Sequence, residues 1–461
     1  MRRFLVLAVL ALFAKGAMAE ETVMRFGRFG KVTIYRNTPY PAHAVLFVSG
    51  DGGWNLGVVD MAHDLAAMDA MVVGIDITHY LKQLRTSKEK CSYPASDFEE
   101  LSQYVQKELG FPTYIPPVLV GYSSGATLVY AILAQAPPTT FKGAISMGFC
   151  PDLPLNKPLC RGQGLQQEPL PNGKGYQFPP VQHLEAPWVA FQGVIDQVCD
   201  DKAVEAYVKQ VPHGDMILLP KVGHGFSVTK NWLPQFQETF KRIVAKDDST
   251  PPSLHQSTKD LPLIEVAAAQ PERDFFAVVV SGDGGWAGID RQIAKTLGKD
   301  GVPVVGLNSL KYFWKKRTPE EASKDLERIL RHYFSAWGKQ SVVLVGYSRG
   351  ADVLPFMANR LPKELLEKTA IIALLGLEAS VDFEIHPGDL LNLGSKNTKP
   401  TRPEIDVLKG QKILCFYGED ENDSLCRNLP AELAEAIRMK GGHHFGGDYQ
   451  KIAEEVLRRV R

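Results

Sequence analysis

Two serines of this chain stand in the pattern G-x-S-x-G, Ser123 within G-Y-S-S-G and Ser348 within G-Y-S-R-G. Each pattern follows a short apolar run and precedes a helical stretch. In that context the pattern forms a nucleophile elbow, a strained turn between a strand and a helix that exposes the serine hydroxyl. The hydroxyl needs a histidine as base and a carboxylate to orient that histidine, and in this fold both follow the serine along the chain. The two patterns therefore predict acyl transfer through serine.

The candidate bases lie in a frame, G-H-x-F, that each half of the chain contains, at His224 and at His443. The frame selects His443 as the base that takes the proton from Ser348 and returns it to the leaving group. The adjacent His444 remains an alternative base or a support for the loop.

The candidate acids lie in a loop between the elbow and the histidine. In the first half this loop contains Asp196 and ends at Cys199, and in the second half it is rich in carboxylates and ends at Cys426. Counting back from each cysteine matches Asp423 with Asp196, while Asp420 is the alternative and a solvated acidic loop would explain either residue. We predict the following triads: Ser348, Asp423 and His443 in the second half, and a second candidate site of Ser123, Asp196 and His224 in the first.

A glycine-rich string, S-G-D-G-G-W, occupies residues 49–54 and returns at residues 281–286. It follows the first core strand, where this fold places half of the oxyanion hole. We expect Asp283 and Gly284 on that side and the backbone N–H of Arg349 on the other. A glycine-rich turn that merely starts a helix is the alternative, and a phosphate-binding loop is disfavoured because no G-K-[ST] ending follows.

The glycine loop, the elbow and the histidine recur at spacings of 232, 225 and 219 residues (282 − 50, 348 − 123 and 443 − 224). Landmarks in the same order at similar spacing indicate a duplicated domain, and 461 residues suit two domains of about 200 residues each. Short Val- and Leu-rich runs alternate with helical stretches, which is typical of a parallel sheet covered on both faces. We predict an α/β fold with two tandem α/β-hydrolase-like domains, residues 20–245 and 273–461. Residues 246–272 form the predicted linker, with a short strand at 261–268.

The first 19 residues have the pattern of an export signal: a basic start, an apolar stretch and an A-x-A cleavage site. Fifty-two basic and fifty-two acidic residues leave no net charge. Attraction of nucleic acid by bulk charge is therefore excluded, and a lipid would have to be bound locally. We expect a mature protein in an exported compartment.

Six cysteines, four in the first half and two in the second, agree with export. The absence of a C-x-x-C pair makes a metal site the weaker alternative, and we expect no cofactor. The first four cysteines allow three connectivities, of which we favour the one that contains a local pair. The predicted bridges are Cys150–Cys160, Cys91–Cys199 and Cys415–Cys426.

Taken together, the S-G-D-G-G-W loop, the G-Y-S-x-G-A elbow and the G-G-H-H-F ending resemble the AcvB/VirJ family of bacterial virulence proteins, in its two-domain exported form. The resemblance covers most of the second half and, with lower fidelity, the first. It implies a periplasmic serine hydrolase that removes lysine or alanine from aminoacyl-phosphatidylglycerol, with Ser348, Asp423 and His443 as its triad. It also implies a link to virulence, an aminoacylated phospholipid at the membrane surface as partner, and an association with type IV secretion proteins.

Asp352 and Asp283 are candidates for binding the ammonium group of such a substrate, although a carboxylate on a helix surface is the ordinary explanation for Asp352.

Two other functions stay open: a noncatalytic exported adaptor and a generic esterase or thioesterase. The first half is a second active site, a binding domain or a structural remnant. Our hypothesis is that the second half does the main chemistry, because its elbow matches the family more closely.

Overall fold

The computed structural model describes residues 20–171, 173–245, 258–386 and 398–460. The predicted signal peptide, residues 1–19, lies outside the described residues, as does the part of the predicted linker between 246 and 257.

The first domain is an eight-stranded sheet with helices on both faces. Its strands and those of a small accessory sheet are β1 (Glu20–Phe26), β2 (Gly30–Arg36), β3 (His43–Val48), β4 (Ala70–Ile75), β5 (Val118–Tyr122), β6 (Gly143–Met147), β7 (Asp152–Leu153), β8 (Glu168–Pro169), β9 (Tyr176–Gln177), β10 (Trp188–Gly193) and β11 (Gly214–Leu219). Its helices are α1 (Gly57–Ala66), α2 (Ile77–Thr86), α3 (Pro94–Glu108), α4 (Ser124–Gln135), α5 (Asp201–Val208) and α6 (Leu233–Ala245).

The strand order of this sheet is β1-β2-β4-β3-β5-β6-β10-β11, and β7, β9 and β8 form the accessory sheet. β2 pairs antiparallel with both β1 and β4, and the six strands β4, β3, β5, β6, β10 and β11 run parallel to one another. The central strands are apolar along almost their whole length because helices cover both faces. Helices α1 and α6 pack on one face, and α2 to α5 pack on the other.

The second domain repeats this plan. Its strands are β12 (Leu263–Val266), β13 (Phe275–Val280), β14 (Val304–Leu307), β15 (Ser341–Tyr347), β16 (Thr369–Leu375), β17 (Ser380–Val381), β18 (Lys399–Pro400), β19 (Ile413–Gly418) and β20 (Glu435–Met439). Its helices are α7 (Gly288–Lys299), α8 (Ser309–Tyr312), α9 (Pro319–Trp337), α10 (Arg349–Ala358), α11 (Lys363–Glu367), α12 (Arg402–Val407) and α13 (Tyr449–Arg459).

The main sheet of the second domain has the order β12-β14-β13-β15-β16-β19-β20. Its six parallel strands follow the same order as β4-β3-β5-β6-β10-β11 of the first domain, which confirms the predicted α/β fold with two sheet-and-helix domains. The short strand expected in the linker is present as β12. It pairs antiparallel with β14 and so belongs to the second sheet, which therefore begins inside the range predicted as linker.

Three disulfides are formed among the described residues: Cys91–Cys160, Cys150–Cys199 and Cys415–Cys426. The local bridge of the second domain is confirmed, and the predicted pairs Cys150–Cys160 and Cys91–Cys199 are wrong. Cys150 follows β6 and Cys199 follows the neighbouring parallel strand β10, so their loops meet at the carboxyl ends of these strands. Sequence proximity is a poorer guide to this pairing than strand adjacency.

The three bridges are typical of an oxidising, exported environment. Across the described ranges, none of the helices combines the length and apolar character needed to traverse a bilayer.

The two domains pack directly against each other. Trp314 donates its indole N–H to the carbonyl of Phe111 at 2.8 Å, and its ring lies against that of Tyr114 with centroids 5.4 Å apart. Thr139 donates its hydroxyl to the carbonyl of Trp286 at 2.8 Å. These contacts bring α3 and the end of α4 of the first domain beside the glycine loop of the second.

Candidate active sites

Both predicted nucleophiles sit in strained elbows. Ser123 has φ 54° and Ser348 has φ 51°, a region that residues other than glycine rarely adopt. Only glycine fits two residues before each serine, because a side chain there would collide with the backbone of the following helix. A Cβ on Gly121 would lie 2.1 Å from the carbonyl oxygen of Gly125, and the equivalent distance between Gly346 and the Gly350 oxygen would be 2.4 Å.

The structure brings Ser123, His224 and Asp196 of the first domain together. His224 Nε2 lies 2.9 Å from Ser123 Oγ, and His224 Nδ1 lies 2.9 Å from Asp196 Oδ2. The backbone N–H groups of Val198 and Cys199 donate to the other Asp196 oxygen at 2.8 and 3.1 Å. Burial would raise the pKa of Asp196, but the hydrogen bonds from His224 and from this backbone hold it below its ordinary value. The aspartate is thus fixed as a charged partner of the imidazole.

In the second domain the histidine pairs with Glu421. His443 Nδ1 lies 2.5 Å from Glu421 Oε1, and the backbone N–H of Gly418 donates to Glu421 Oε2 at 2.6 Å. The side chain of Glu421 is only 11% exposed, whereas Asp423 and Asp420 are exposed. The predicted acid Asp423 is therefore wrong, and Glu421 takes its place.

The error comes from the cysteines that served as landmarks. Cys199 is bonded to Cys150 on a neighbouring loop, but Cys426 is bonded to Cys415 of β19, the strand that precedes its loop. Cys199 and Cys426 are therefore not structurally equivalent. The glycine that ends each strand is the better landmark. Asp196 lies three residues after Gly193, and Glu421 lies three residues after Gly418. Counting forward from that glycine would have identified the acid.

His443 and His224 occupy equivalent places. Each ring lies over the glycine that follows the strand beyond the elbow: a Cβ would be 2.6 Å from His443 Cε1 if placed on Gly376, and 3.1 Å from His224 Cε1 if placed on Gly148. Ser348 lines the same cavity as His443. Within the ranges that the structure describes, Ser348 and His443 form no hydrogen bond equivalent to the one between Ser123 and His224.

The alternative base, His444, has a different partner. Its Nδ1 lies 3.1 Å from the hydroxyl of Tyr347, the residue before the nucleophile. Burial and the neighbouring His443 lower the pKa of His444. Burial would also lower the pKa of His443, but the hydrogen bond and charge of Glu421 outweigh it and hold that pKa above its ordinary value. His443 thus has the partner of a catalytic base, and His444 supports the loop.

A cavity of about 750 Å³ opens over Ser348 and His443. Both domains line it: Tyr93, Ser96 and Glu99 reach it from the first domain, on or next to α3. The active site of the second domain is therefore covered by residues of the first domain, and we call Tyr93, Ser96 and Glu99 the roof of the cavity. This roof could not be inferred from motifs, because helix α3 carries none.

The cavity wall carries four carboxyl groups, those of Glu99, Asp283, Asp290 and Glu378. Arg349 and His386 also line it, and the guanidinium of Arg349 donates to backbone carbonyls. Burial, followed by the charges of Asp283 and Glu100, raises the pKa of Glu99 to about 8. Burial also raises the pKa of Glu378, and it raises that of Asp290 well above the ordinary range. Several carboxyl groups that are costly to ionise together would all be stabilised by a bound cation.

Of the two ammonium-binding candidates from the sequence, Asp283 is on this wall. Asp352 is 4% exposed, and its carboxylate accepts the backbone N–H of Glu378 at 2.7 Å. It therefore positions the loop after β16 and is not a residue of the helix surface.

The glycine loop 281–286 lies against the elbow. A Cβ on Gly282 would be 3.2 Å from the Tyr347 ring and 3.6 Å from Ser348 Cβ, while Asp283 and Gly284 line the cavity. The guanidinium of Arg349 donates to the carbonyl of Asp382 at 2.7 Å. The backbone N–H of Arg349 opens helix α10 and so has no acceptor within that helix. The oxyanion role of these N–H groups stays a prediction.

The tryptophan that ends each glycine loop has a structural role that the sequence did not reveal. Trp286 covers Gly306 of β14, where a Cβ would lie 2.2 Å from the indole, and Trp54 covers Gly74 of β4, where the distance would be 2.1 Å. Each pair fixes the loop onto the neighbouring strand, which explains why the loop and that glycine recur together.

Among the described residues, one cluster has the spacing of metal ligands: Asp196, Cys199 and His224. Cys199 is in a disulfide and offers no thiolate, and the other two residues belong to the first triad. The donor set therefore does not suit a metal ion.

The family model for the bacterial virulence protein VirJ matches residues 42–148 and 274–461, which include both elbows. No curated protein matches the chain.

Three solved structures illustrate its likeness to known folds. The esterase domain of a Rhodothermus marinus protein is 15% identical, with a TM-score of 0.33 over 49% of this chain and 98% of that one. A thermophilic esterase from Thermogutta terrifontis, with butyrate bound, is 16% identical, with a TM-score of 0.33 over 51% and 96%. An α/β serine hydrolase without a lid from Xanthomonas campestris is 18% identical, with a TM-score of 0.33 over 50% and 97%. At these identities the likeness concerns the fold alone.

Proposed function

Because this chain belongs to the VirJ family of bacterial virulence proteins, we propose that it is a periplasmic serine hydrolase that cleaves the aminoacyl ester of aminoacyl-phosphatidylglycerol. The amino acid, lysine or alanine, and phosphatidylglycerol are the products. The second domain carries this activity, and membrane lipid homeostasis and virulence are the processes it serves. The three disulfides support an exported location.

One observation carries the choice of substrate: the acidic cavity over Ser348. An aminoacyl ester differs from an ordinary ester by an ammonium group close to the reacting carbonyl. With that carbonyl at Ser348, the ammonium group would lie among Glu99, Asp283 and Glu378, which share the cavity. A volume of about 750 Å³ lies within the usual range for small-molecule sites.

The triad then performs acyl transfer. Ser348 Oγ attacks the ester carbonyl while His443 accepts its proton, and Glu421 holds the imidazole and stabilises its charged form. The bond to the glycerol oxygen breaks, and that oxygen takes the proton from His443 as phosphatidylglycerol leaves. Water then attacks the aminoacyl-serine by the reverse proton route and releases the free amino acid.

The proposal is tested by measuring release of amino acid from lysyl- and alanyl-phosphatidylglycerol with the wild-type protein and with Ser348→Ala. We expect release by the wild type and a loss on the order of 10³-fold or more in the variant. Release that persists in Ser348→Ala would place the activity elsewhere. No release by folded wild-type protein would favour a noncatalytic adaptor of secretion proteins, and equal rates on a lipid without an amino group would favour a generic esterase.

A further inference from the structure

We infer that Ser123, His224 and Asp196 form an active site of the first domain that is independent of the site at Ser348. This site hydrolyses esters of uncharged apolar acyl groups. This activity is separate from the proposed cleavage of aminoacyl lipids in the second domain. It rests on the geometry of the first domain and on the apolar surface around its triad.

The triad of the first domain is fully assembled. Both hydrogen bonds of His224, to Ser123 and to Asp196, are 2.9 Å long. Asp196 also accepts a hydrogen bond from the Gln192 amide at 3.0 Å, and the disulfide of Cys199 fixes the end of its loop. A domain kept only as a scaffold has no need of a strained serine, and such strain is costly unless it is retained for function.

The loop that carries the acid differs in character between the two domains. In the first domain it reads V-I-D-Q-V (residues 194–198), and in the second it reads E-D-E-N-D (residues 419–423). Ile195 is 60% exposed and Val198 is 66% exposed, so these apolar side chains face solvent on either side of Asp196. Val228, four residues after His224, is 44% exposed. Exposed apolar side chains concentrated beside a reactive group are suited to an apolar substrate.

Two carboxylates that line the second cavity, Asp290 and Glu378, are replaced in the first domain, whereas Asp51, the counterpart of Asp283, is retained and accepts a hydrogen bond from Ser124 at 2.7 Å. Val58 stands 232 residues before Asp290, at the same place in the glycine loop and helix repeat. Cys150 stands two residues after Gly148, as Glu378 stands two residues after Gly376, and it is consumed in a disulfide. The first site therefore has fewer carboxylates than the second, and Asp51 is already hydrogen-bonded to Ser124, so an uncharged acyl group suits this site better.

The reaction balances without a cofactor. Ser123 Oγ forms a bond to the ester carbonyl carbon, and its proton passes to His224 Nε2. The carbon–oxygen bond to the alcohol breaks, and the alcohol leaves with that proton. Water then hydrolyses the acyl-serine, yielding the carboxylic acid and free Ser123.

The first test uses the wild-type protein and so does not depend on how any variant folds. The intact chain is treated with a fluorophosphonate, which phosphonylates activated serines, and the modified peptides are identified by mass spectrometry. We expect modification at Ser123 as well as at Ser348. Modification at Ser348 without Ser123 would overturn the inference, and modification at Ser123 alone would support it while counting against the proposed function of the second domain.

The second test measures hydrolysis of p-nitrophenyl butyrate, an uncharged ester. In a Ser348→Ala background, adding Ser123→Ala should lower the rate by a factor on the order of 10³ or more. Ile195→Asp in the same background should raise KM about tenfold, because the acyl chain loses an apolar contact. Val407→Asp replaces an apolar residue of the other domain that is similarly exposed, at 68% against 60% for Ile195, and serves as the matched control. A rate that survives Ser123→Ala, or an equal effect of the two aspartate variants, would contradict the inference.

Discussion

Glu421 uses both of its oxygens: Oε1 holds His443 Nδ1 at 2.5 Å, and Oε2 accepts the backbone N–H of Gly418 at 2.6 Å. The carboxylate is therefore fixed to the end of its own strand while it orients the imidazole. Burial would raise the pKa of Glu421, but the hydrogen bonds from His443 and Gly418 keep it below its ordinary value. A charged acid in this position favours the imidazole tautomer that a catalytic base requires.

Glu421→Gln should therefore lower kcat for amino-acid release on the order of 10³-fold, since an amide no longer stabilises the charged imidazole. Asp423→Asn is the matched control, because it removes a carboxylate of the same loop that is exposed. Its kcat should stay within a factor of about two. The two variants are compared by steady-state kinetics, and a large loss in Asp423→Asn with a small one in Glu421→Gln would restore the acid predicted from the cysteine spacing.

The pH profile of the second site follows from His443, which must be neutral to accept a proton. Burial lowers its pKa, but Glu421, Glu378 and Asp283 together raise it above the ordinary value of 6.5. Activity should therefore rise with pH through a midpoint above 6.5, and in Glu421→Gln the midpoint of the remaining activity should move to lower pH. The plot of kcat/KM against pH reports this group in the free enzyme. A wild-type midpoint below 6.5 would be inconsistent with the charges described.

Glu99 brings a carboxylate of the first domain to the cavity over Ser348. Glu99→Gln should raise KM for lysyl-phosphatidylglycerol about tenfold and leave kcat within about threefold, because a contact to a charged group is lost at a distance from the reacting bond. Glu108→Gln, at the exposed end of the same helix, is the control. If Glu99→Gln and Glu108→Gln have equal kinetics, the roof does not bind the ammonium group.

The disulfide Cys150–Cys199 should contribute more to stability than Cys415–Cys426. It spans 49 residues against 11, and a longer closed loop restricts the unfolded chain more, by about 1 kcal/mol for these lengths. The corresponding double serine variants are compared by urea denaturation. Loss of Cys150–Cys199 should also reduce butyrate hydrolysis at Ser123, because the bridge fixes the loop of Asp196. Equal stability of the two variants, with full activity at Ser123, would disprove this role.

The fold and the nucleophiles could be predicted from the sequence because they depend on local requirements. A strained elbow admits only glycine at Gly121 and Gly346, so the pattern remains visible in the sequence. The continuous apolar runs likewise indicate strands buried on both faces. These features need no knowledge of distant contacts.

The acid, two of the disulfides and the cavity roof could not be predicted in the same way. Glu421 and the bridge of Cys150 depend on which loops meet at the edge of the sheet, and the order of strands decides that. The position of Glu99 depends on how one domain packs on the other, through contacts such as that of Trp314 with Phe111. Nothing in the local sequence around Glu99 encodes its approach to Asp283.

The roof that α3 places over Ser348 is part of the same polypeptide as the site it covers. A separate roof protein would dissociate as it became dilute, whereas a tethered one keeps a constant effective concentration at any abundance of the enzyme. The duplicated chain thus keeps the cavity and its cover in a fixed one-to-one ratio. Synthesis of a single chain delivers both together.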